Sequence, residues 1–384
     1  MKAPPQNPTV LETPVDVEDF IAGTNLLSGA GGPPGEALEH LLETLAEGHP
    51  LGWQSVDMLD DDALVVAAYY TGSVGPKVWR ERARREAELG LHRHHKRPLI
   101  RAIQHLEIRM GREADAIIPI EIGASNTAAA LDAASRLSRI VVDGDYAGRA
   151  IPSFECITPT IHGDVRPPLV LADYYGDLIE ITDAANLSRM EAIGKMVATA
   201  TLGRIGSAGL AFSGAEVKRL VVRDTLTESL AAGRALRRAQ AAGGDVVGQV
   251  IKALRGARYL FRGALLRTEH GPDSGYTVGY HFFEGSGDWS GRELKIFFQN
   301  ENHVAWLDGE PLAMSPDVIE VVDAATAEPQ VNTYLEPGQE VAVLGIPRRG
   351  GLGTPEGIAA MGPARWGFDI PFLSLEASDN GVQR

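Results

Sequence analysis

Between a cluster of three aspartates and the turn TGSVGP lies ALVVAAYY, Ala63 to Tyr70, an uninterrupted apolar run without a single charge. Such a run is the mark of a strand buried on both faces, so the chain must supply packing layers above and below it. Two further apolar runs follow, Ala116 to Ile122 (AIIPIEI) and Arg139 to Val142 (RIVV), separated by the helical spacing of Thr127 to Leu137. Strand, short helix, strand predicts a parallel sheet with a right-handed crossover. Ahead of them, the first fifteen residues hold four prolines and read as an irregular leader. Asp16 is placed to cap a helix through Leu27, the Gly-Pro stretch Ser28 to Gly35 follows, and Glu36 to Ala46 is amphipathic. Leu99 to Met110 also has helical spacing.

The character changes past the Pro-rich link Arg166 to Pro168. After one apolar run, Leu169 to Tyr175, residues 187–255 read as helix interrupted by glycines. Tyr259 to Leu344 then breaks into short β-rich pieces split by Gly, Pro and Asp turns. Closely spaced strands without long helices predict a small barrel or sandwich. The Gly/Pro-rich end carries Trp366, Phe368 and Phe372 and is expected to dock on the body. The expected division is an α/β domain over 1–165 and a C-terminal region over 166–384, helical over 187–255, β-rich over 257–350, with a docking tail over 351–384.

Composition narrows the chemistry. Thirty-six Lys+Arg against 51 Asp+Glu leave a net charge of −15, which repels phosphate backbones and anionic lipid, so no nucleic-acid or membrane partner is expected. No uncharged apolar run is long enough to span a bilayer and no secretion signal opens the chain; a cytoplasmic location is the expectation. The one cysteine, Cys156, excludes an internal disulfide and a multi-cysteine metal site, so a divalent metal, if used, must sit on His, Asp or Glu.

Several stretches occur together in a particular order: AGTNLLSGAGGPPGEAL, PIEIGASNTAAAL, VVDGDYAGRAIPSFE, FFQNENHVAWLDG with MSPDVIEVVD after it, and GPARWGFD. Over roughly residues 16–372 the set resembles the S-methyl-thiohydantoin desulfurase family, whose members are often encoded near hydantoinase-type enzymes. The resemblance implies a three-layer α/β N-terminal domain followed by a C-terminal region with helices and a small β-barrel-like domain. It also implies hydrolysis of a (S-methyl) thiohydantoin or related cyclic amide at C2, with release of a thiol. This chain departs from the family where its glycine loop runs GAGGPPGE instead of continuing into an acidic residue.

Candidate site residues follow from the residues themselves. The loop carrying Gly31 and Gly32 lets backbone N–H groups approach a ligand ahead of a helix N-terminus, or is a tight turn; it lacks the spacing of a dinucleotide fingerprint, and no nucleotide is expected. Glu121 ends a buried strand, where open α/β sheets place ligands, with Asn126 at the entry to the next helix; the plainer alternative is a sheet-edge charge and an N-cap. Asp143 and Asp145 stand at i and i+2 after a β-run, so one turn aims both at one cleft for proton transfer or metal binding, unless they only stabilise the turn. Arg149 is placed to neutralise one of them or to grip a substrate.

Asp143, Asp145 and His162 are the metal candidates. Cys156 is more often a small buried hydrophobe than a nucleophile, and the tract His92, His94, His95 more often a solvated basic helix than a metal patch. Gln299 and Asn300, beside Glu301 and His303, carry amides suited to the alternating donors and acceptors of a cyclic ureide, or form a polar hairpin. The expected catalytic set is therefore Asp143, Asp145 and Glu121, with Arg149, Asn126, Gln299 and Asn300 positioning the ring. The alternative is a non-catalytic subunit or ligand-binding partner of a hydantoinase-type enzyme. A homo-oligomer is expected on base rates alone.

Overall fold

A computed structural model describes residues 8–29, 35–72, 76–164, 166–273 and 276–376. Its frame is a mixed six-stranded sheet in the order 140–141, 116–119, 64–72, 204–213, 169–172, 178–181. The first three strands are parallel to one another, and the last three join through antiparallel ladders. The run Leu64–Gly72 sits near the middle, with its alternate residues divided between two cores. Leu64, Val66 and Ala68 pack with Leu99, Ala102, Ile103 and Leu106 of helix Pro98–Met110 and with Leu131 of helix Ala124–Leu137. Val65, Ala67 and Tyr69 pack with Leu187 and Met190 of helix Leu187–Ala200 on the other side. A strand with period-two burial into two cores has no wet face, which is why it carries no polar alternation.

Two expectations need correcting. The helical reading of 187–255 misses strand Arg204–Ser213, which pairs with Leu64–Gly72 along most of its length. Its sequence, RIGSAGLAFS, offers small residues in place of the β-branched ones that announce a strand. Helix 98–110 lies directly on it: a Cβ on Gly206 would come 2.7 Å from Leu99 N. The sheet thus takes three of its six strands from beyond residue 165, and a boundary there falls inside it. The first long helix, Pro14–Leu26, is capped by Thr13, with Asp16 returning to the Thr13 N–H as the other half of a capping box.

The second sheet is a seven-stranded antiparallel one, ordered 310–314, 301–307, 293–299, 276–285, 258–273, 340–346, 318–323, and curled as a half-barrel. Asn302 fastens the curl: its Nδ2 donates to Ile319 O at 3.0 Å, joining strands that share no ladder. Helix Thr225–Ala242 connects the halves by packing on helix 14–26, where Gly23 and Gly233 face each other's backbones. A Cβ on either would come within 1.7 Å of a carbonyl oxygen, so only glycine permits this approach. Among the described residues no helix is long and apolar enough to cross a membrane.

Candidate active site

Strand Ala116–Pro119 ends at the seam between the two sheets, and the turn after it presents Glu121. Gly123, not Asn126, is the N-cap of the next helix. Asn126 lies in the first turn and does something else: its Nδ2 donates to Glu121 Oε1 at 2.6 Å while its Oδ1 accepts from Tyr70 N at 2.9 Å. The other carboxylate oxygen of Glu121 accepts from Ile151 N at 2.7 Å. The residue is 8% exposed. Burial, with the nearby charge of Asp145, pushes Glu121 up to about 7, against the pull of these two hydrogen bonds and of Arg149.

Arg149 is 1% exposed. Its guanidinium donates to carbonyl oxygens, Ala150 at 3.2 Å and Asn302 and Asp317 at 2.9 Å, and so seats the end of the first sheet on the curled one. No carboxylate pairs with it within salt-bridge distance among the described residues; its charge acts on Glu121 and Glu301 through space. Asn302 N in turn donates to Gly29 O at 3.1 Å, and Gly29 N to Glu320 at 2.7 Å, which anchors the start of the glycine loop. Gly31 and Gly32 lie outside the described residues.

Glu301 opens strand Glu301–Leu307 on the far side of this seam. It is 7% exposed and its Oε2 has no hydrogen-bond partner among the described residues. Burial and the charge of Glu121 raise its carboxyl to about 8, opposed by Arg149. The tight turn before it explains its position. Asn300 is left-handed (φ 60), its Oδ1 accepts from Thr277 N at 2.9 Å, and its carbonyl accepts from Asn332. The Asn300 amide oxygen is therefore engaged by the hairpin, and Gln299 is half-buried at the end of its strand. His303 stacks on Trp366 at 3.8 Å, and burial, with Arg149 nearby, holds its pKa well below the usual imidazole range.

Asp143 and Asp145 are occupied locally. Asp143 accepts from Leu226 N and Thr227 N at 3.1 Å and from Thr227 Oγ1 at 2.5 Å, at the N-terminus of helix 225–242. Asp145 accepts from Ala147 N and Gly148 N at 2.6 Å and from Thr225 Oγ1 at 2.7 Å. Burial raises both to about 6. Asp145 is near enough to Glu121 to raise its pKa, whereas His162 is exposed beside Glu356. Among the described residues no group of three or more His, Cys, Asp or Glu converges as a metal would need, so Asp143, Asp145 and His162 do not form a ligand set. Cys156 is buried with its Sγ 3.6 Å from Ala360 O, and burial pushes its thiol up to about 12, which keeps it protonated.

Three backbone groups of the segment 151–154 knit further groups into the site. Ile151 N holds Glu121, Pro152 O accepts from Lys195 Nζ at 3.1 Å, and Phe154 N donates to Glu191 at 2.9 Å. Lys195 and Glu191 form an ion pair at 2.8 Å, and the ring of Tyr276 covers Lys195 at 3.6 Å. Neither Glu191 nor Lys195 was among the residues expected from sequence. The signal for Glu191 is a charge on the apolar stripe of helix 187–200, between Met190 and Gly194, both buried. Glu301 carries a similar signal, a carboxylate opening an otherwise buried strand.

Residues 15–183 match the family described as S-Me-THD-like, N-terminal domain, and residues 185–375 match S-Me-THD-like, C-terminal domain. A solved structure, the X-ray crystal structure of a protein from Chromobacterium violaceum, aligns over 96% of this chain and 100% of its own with a TM-score of 0.76. At 22% identity that likeness speaks for the fold alone. Comparison with curated proteins gives no match. With both halves matched in order, the chain belongs to the S-Me-THD-like family, that of the S-methyl-thiohydantoin desulfurases.

Proposed function

We propose that this protein is a hydrolytic desulfurase which replaces the sulfur at C2 of an S-methyl thiohydantoin, or of a related cyclic amide, with oxygen from water. One observation supports this most: two buried carboxyls, Glu121 and Glu301, approach from opposite halves of the molecule closely enough to repel, with values raised to about 7 and about 8. Carboxyls with values so near neutrality serve as base and acid at the same pH.

Glu121, the more acidic of the two and already oriented by Asn126 and Ile151, takes a proton from water as the oxygen bonds to C2. The electrons of the C2=N bond move to the ring nitrogen, which takes that proton from Glu121. Glu301, protonated and with no partner at Oε2 among the described residues, gives its proton to sulfur as the C2–S bond breaks. Its proton is replaced from the hydroxyl on C2, which becomes the carbonyl. The sum is ring plus water to hydantoin plus methanethiol, with both carboxyls restored. Asp143 and Asp145 brace the helix and turn behind Glu121 in this reading and move no proton, and Asn126 positions the base. The substrate is a small cyclic amide, and a homo-oligomer in the cytoplasm is the working assembly.

The test is release of methanethiol from S-methyl thiohydantoin by the purified protein, read with a thiol reagent. Glu121→Gln and Glu301→Gln should each lower the rate by ~10²-fold or more with the fold retained. If the wild-type chain releases no thiol across thiohydantoins, the desulfurase reading is overturned in favour of a ligand-binding partner of a hydantoinase-type enzyme.

A further inference from the structure

The Lys195 ammonium has three protons. Two are directed at strong acceptors, the Glu191 carboxylate at 2.8 Å and Pro152 O at 3.1 Å; for the third, the described residues offer only the π face of Tyr276, 3.6 Å away. The side chain is 20% exposed. Two adjacent backbone residues tie it to Glu121. Pro152, which holds Lys195, is the residue after Ile151, which holds Glu121, and consecutive Cα atoms lie ~3.8 Å apart. Lys195 also acts electrostatically on Glu301. The groups facing it are Glu191 on its own helix, Glu301 from the curled sheet, Cys156 and Tyr276. Beside it, the Tyr69 hydroxyl, on a residue 2% exposed, has no partner among the described residues and lies near Glu191.

A cation at this point matches one feature of the ring chemistry. A ring N–H flanked by two carbonyls, as in the hydantoin product, is acidic because both carbonyls delocalise the anion. A fixed ammonium favours that anion, whereas a cyclic urea with a single carbonyl gains little from it.

We propose that Lys195 is the substrate-binding cation of the site: its third N–H reaches the N3–C4=O edge of the ring beneath Tyr276 and selects rings whose N3 carries or shares negative charge. This rests on the desulfurase reading above and narrows its substrate class to cyclic imides and their thio forms.

The experiment is calorimetric binding of two probes, hydantoin and 2-imidazolidinone, to the full-length wild-type chain and to Lys195→Met, Lys195→Arg and Glu191→Gln. Hydantoin should bind wild type, and Lys195→Met should weaken it roughly tenfold or more, the scale of one charge-assisted hydrogen bond. Binding of 2-imidazolidinone should change by less than about twofold. Lys195→Arg should retain most of the hydantoin affinity. Glu191→Gln keeps an oxygen for Phe154 N and removes the competing anion, so it should tighten hydantoin; this variant carries the test if Lys195→Met does not fold. Equal weakening of both probes by Lys195→Met, or weaker hydantoin binding in Glu191→Gln, overturns the proposal. Hydantoin binding that is unchanged in Lys195→Met also overturns it, yet leaves the desulfurase reading standing. Absence of hydantoin binding to wild type overturns it too, and the thiol-release assay then decides the desulfurase reading separately.

Discussion

Asn126 grips Glu121 with one end of its amide and the backbone of Tyr70 with the other, at 2.6 and 2.9 Å. A single side chain on the first turn of a helix thereby fixes the proposed base to the sheet's central strand. The bond to Glu121 favours the ionised carboxyl, working against the burial that raises it. Asn126→Leu removes that bond, so the Glu121 value should climb further above 7, by about one unit for one lost hydrogen bond to a charged group. Since the base acts ionised, the rising limb of the pH–rate profile should move to higher pH by the same amount. A limb that stays in place in Asn126→Leu would mean that another group sets it.

Glu301 should show opposite effects on stability and activity. Its folded value, about 8, lies above the ordinary 4.5, so the native state binds a proton that the unfolded chain has already released between those values. The stabilisation from that proton is complete below about 4.5 and is lost as pH rises through about 8. Glu301→Gln keeps a neutral group there at every pH. Its thermal stability should match wild type near pH 5 and exceed it near pH 9 by on the order of 2 kcal/mol, while thiol release is lost. Melting curves at the two pH values decide this, and a Glu301→Gln protein less stable than wild type at the higher pH would contradict the raised value.

Substitution of Asp143 should disturb the fold and spare the chemistry. Its carboxylate takes two N–H groups and a hydroxyl at the start of helix 225–242, so Asp143→Ala leaves that helix end uncapped at a cost of about 1–2 kcal/mol. Activity per folded molecule should stay within about threefold of wild type, whereas a direct base removed would cost ~10²-fold or more. An Asp143→Ala protein with an unchanged melting temperature and a hundredfold loss of rate would return Asp143 to the chemistry.

These aspartates show what the sequence could carry and what it could not. Asp143, Asp145, Arg149 and Glu121 all stand near the ends of short strands, and that placement was legible as a place where polar groups gather. How each would be satisfied was not legible, because it depends on partners far away in the chain: Thr225 and Thr227 for the aspartates, Asn302 and Asp317 for Arg149. Strand Leu64–Gly72 was readable from its apolar run, while Arg204–Ser213 was hidden because close packing under helix 98–110 demands glycine where a strand usually shows β-branching. Glu301 lay within the polar turn that was noticed. Its importance arises only when the curled sheet brings that turn against Glu121.

The Gly29 contact gives a last test, of whether Arg149 sets the electrostatics of the pair. Gly29 is left-handed (φ +80), and a Cβ there would come 2.8 Å from Arg149 Nη2, the nitrogen that donates to Asn302 O. Gly48 has nearly the same backbone (φ +81) with nothing within 4 Å of its would-be Cβ. Both Gly→Ala changes therefore carry the left-handed cost of roughly 1–2 kcal/mol, but only Gly29→Ala pushes on the guanidinium. Arg149 lowers the values of Glu121 and Glu301, so its displacement should raise both and carry the rising limb of the pH–rate profile upward. Gly48→Ala should lower the melting temperature and leave that limb where it is. If the two variants give superimposable pH profiles, Arg149 is a structural strut between the sheets, and its charge is not what tunes the carboxyls.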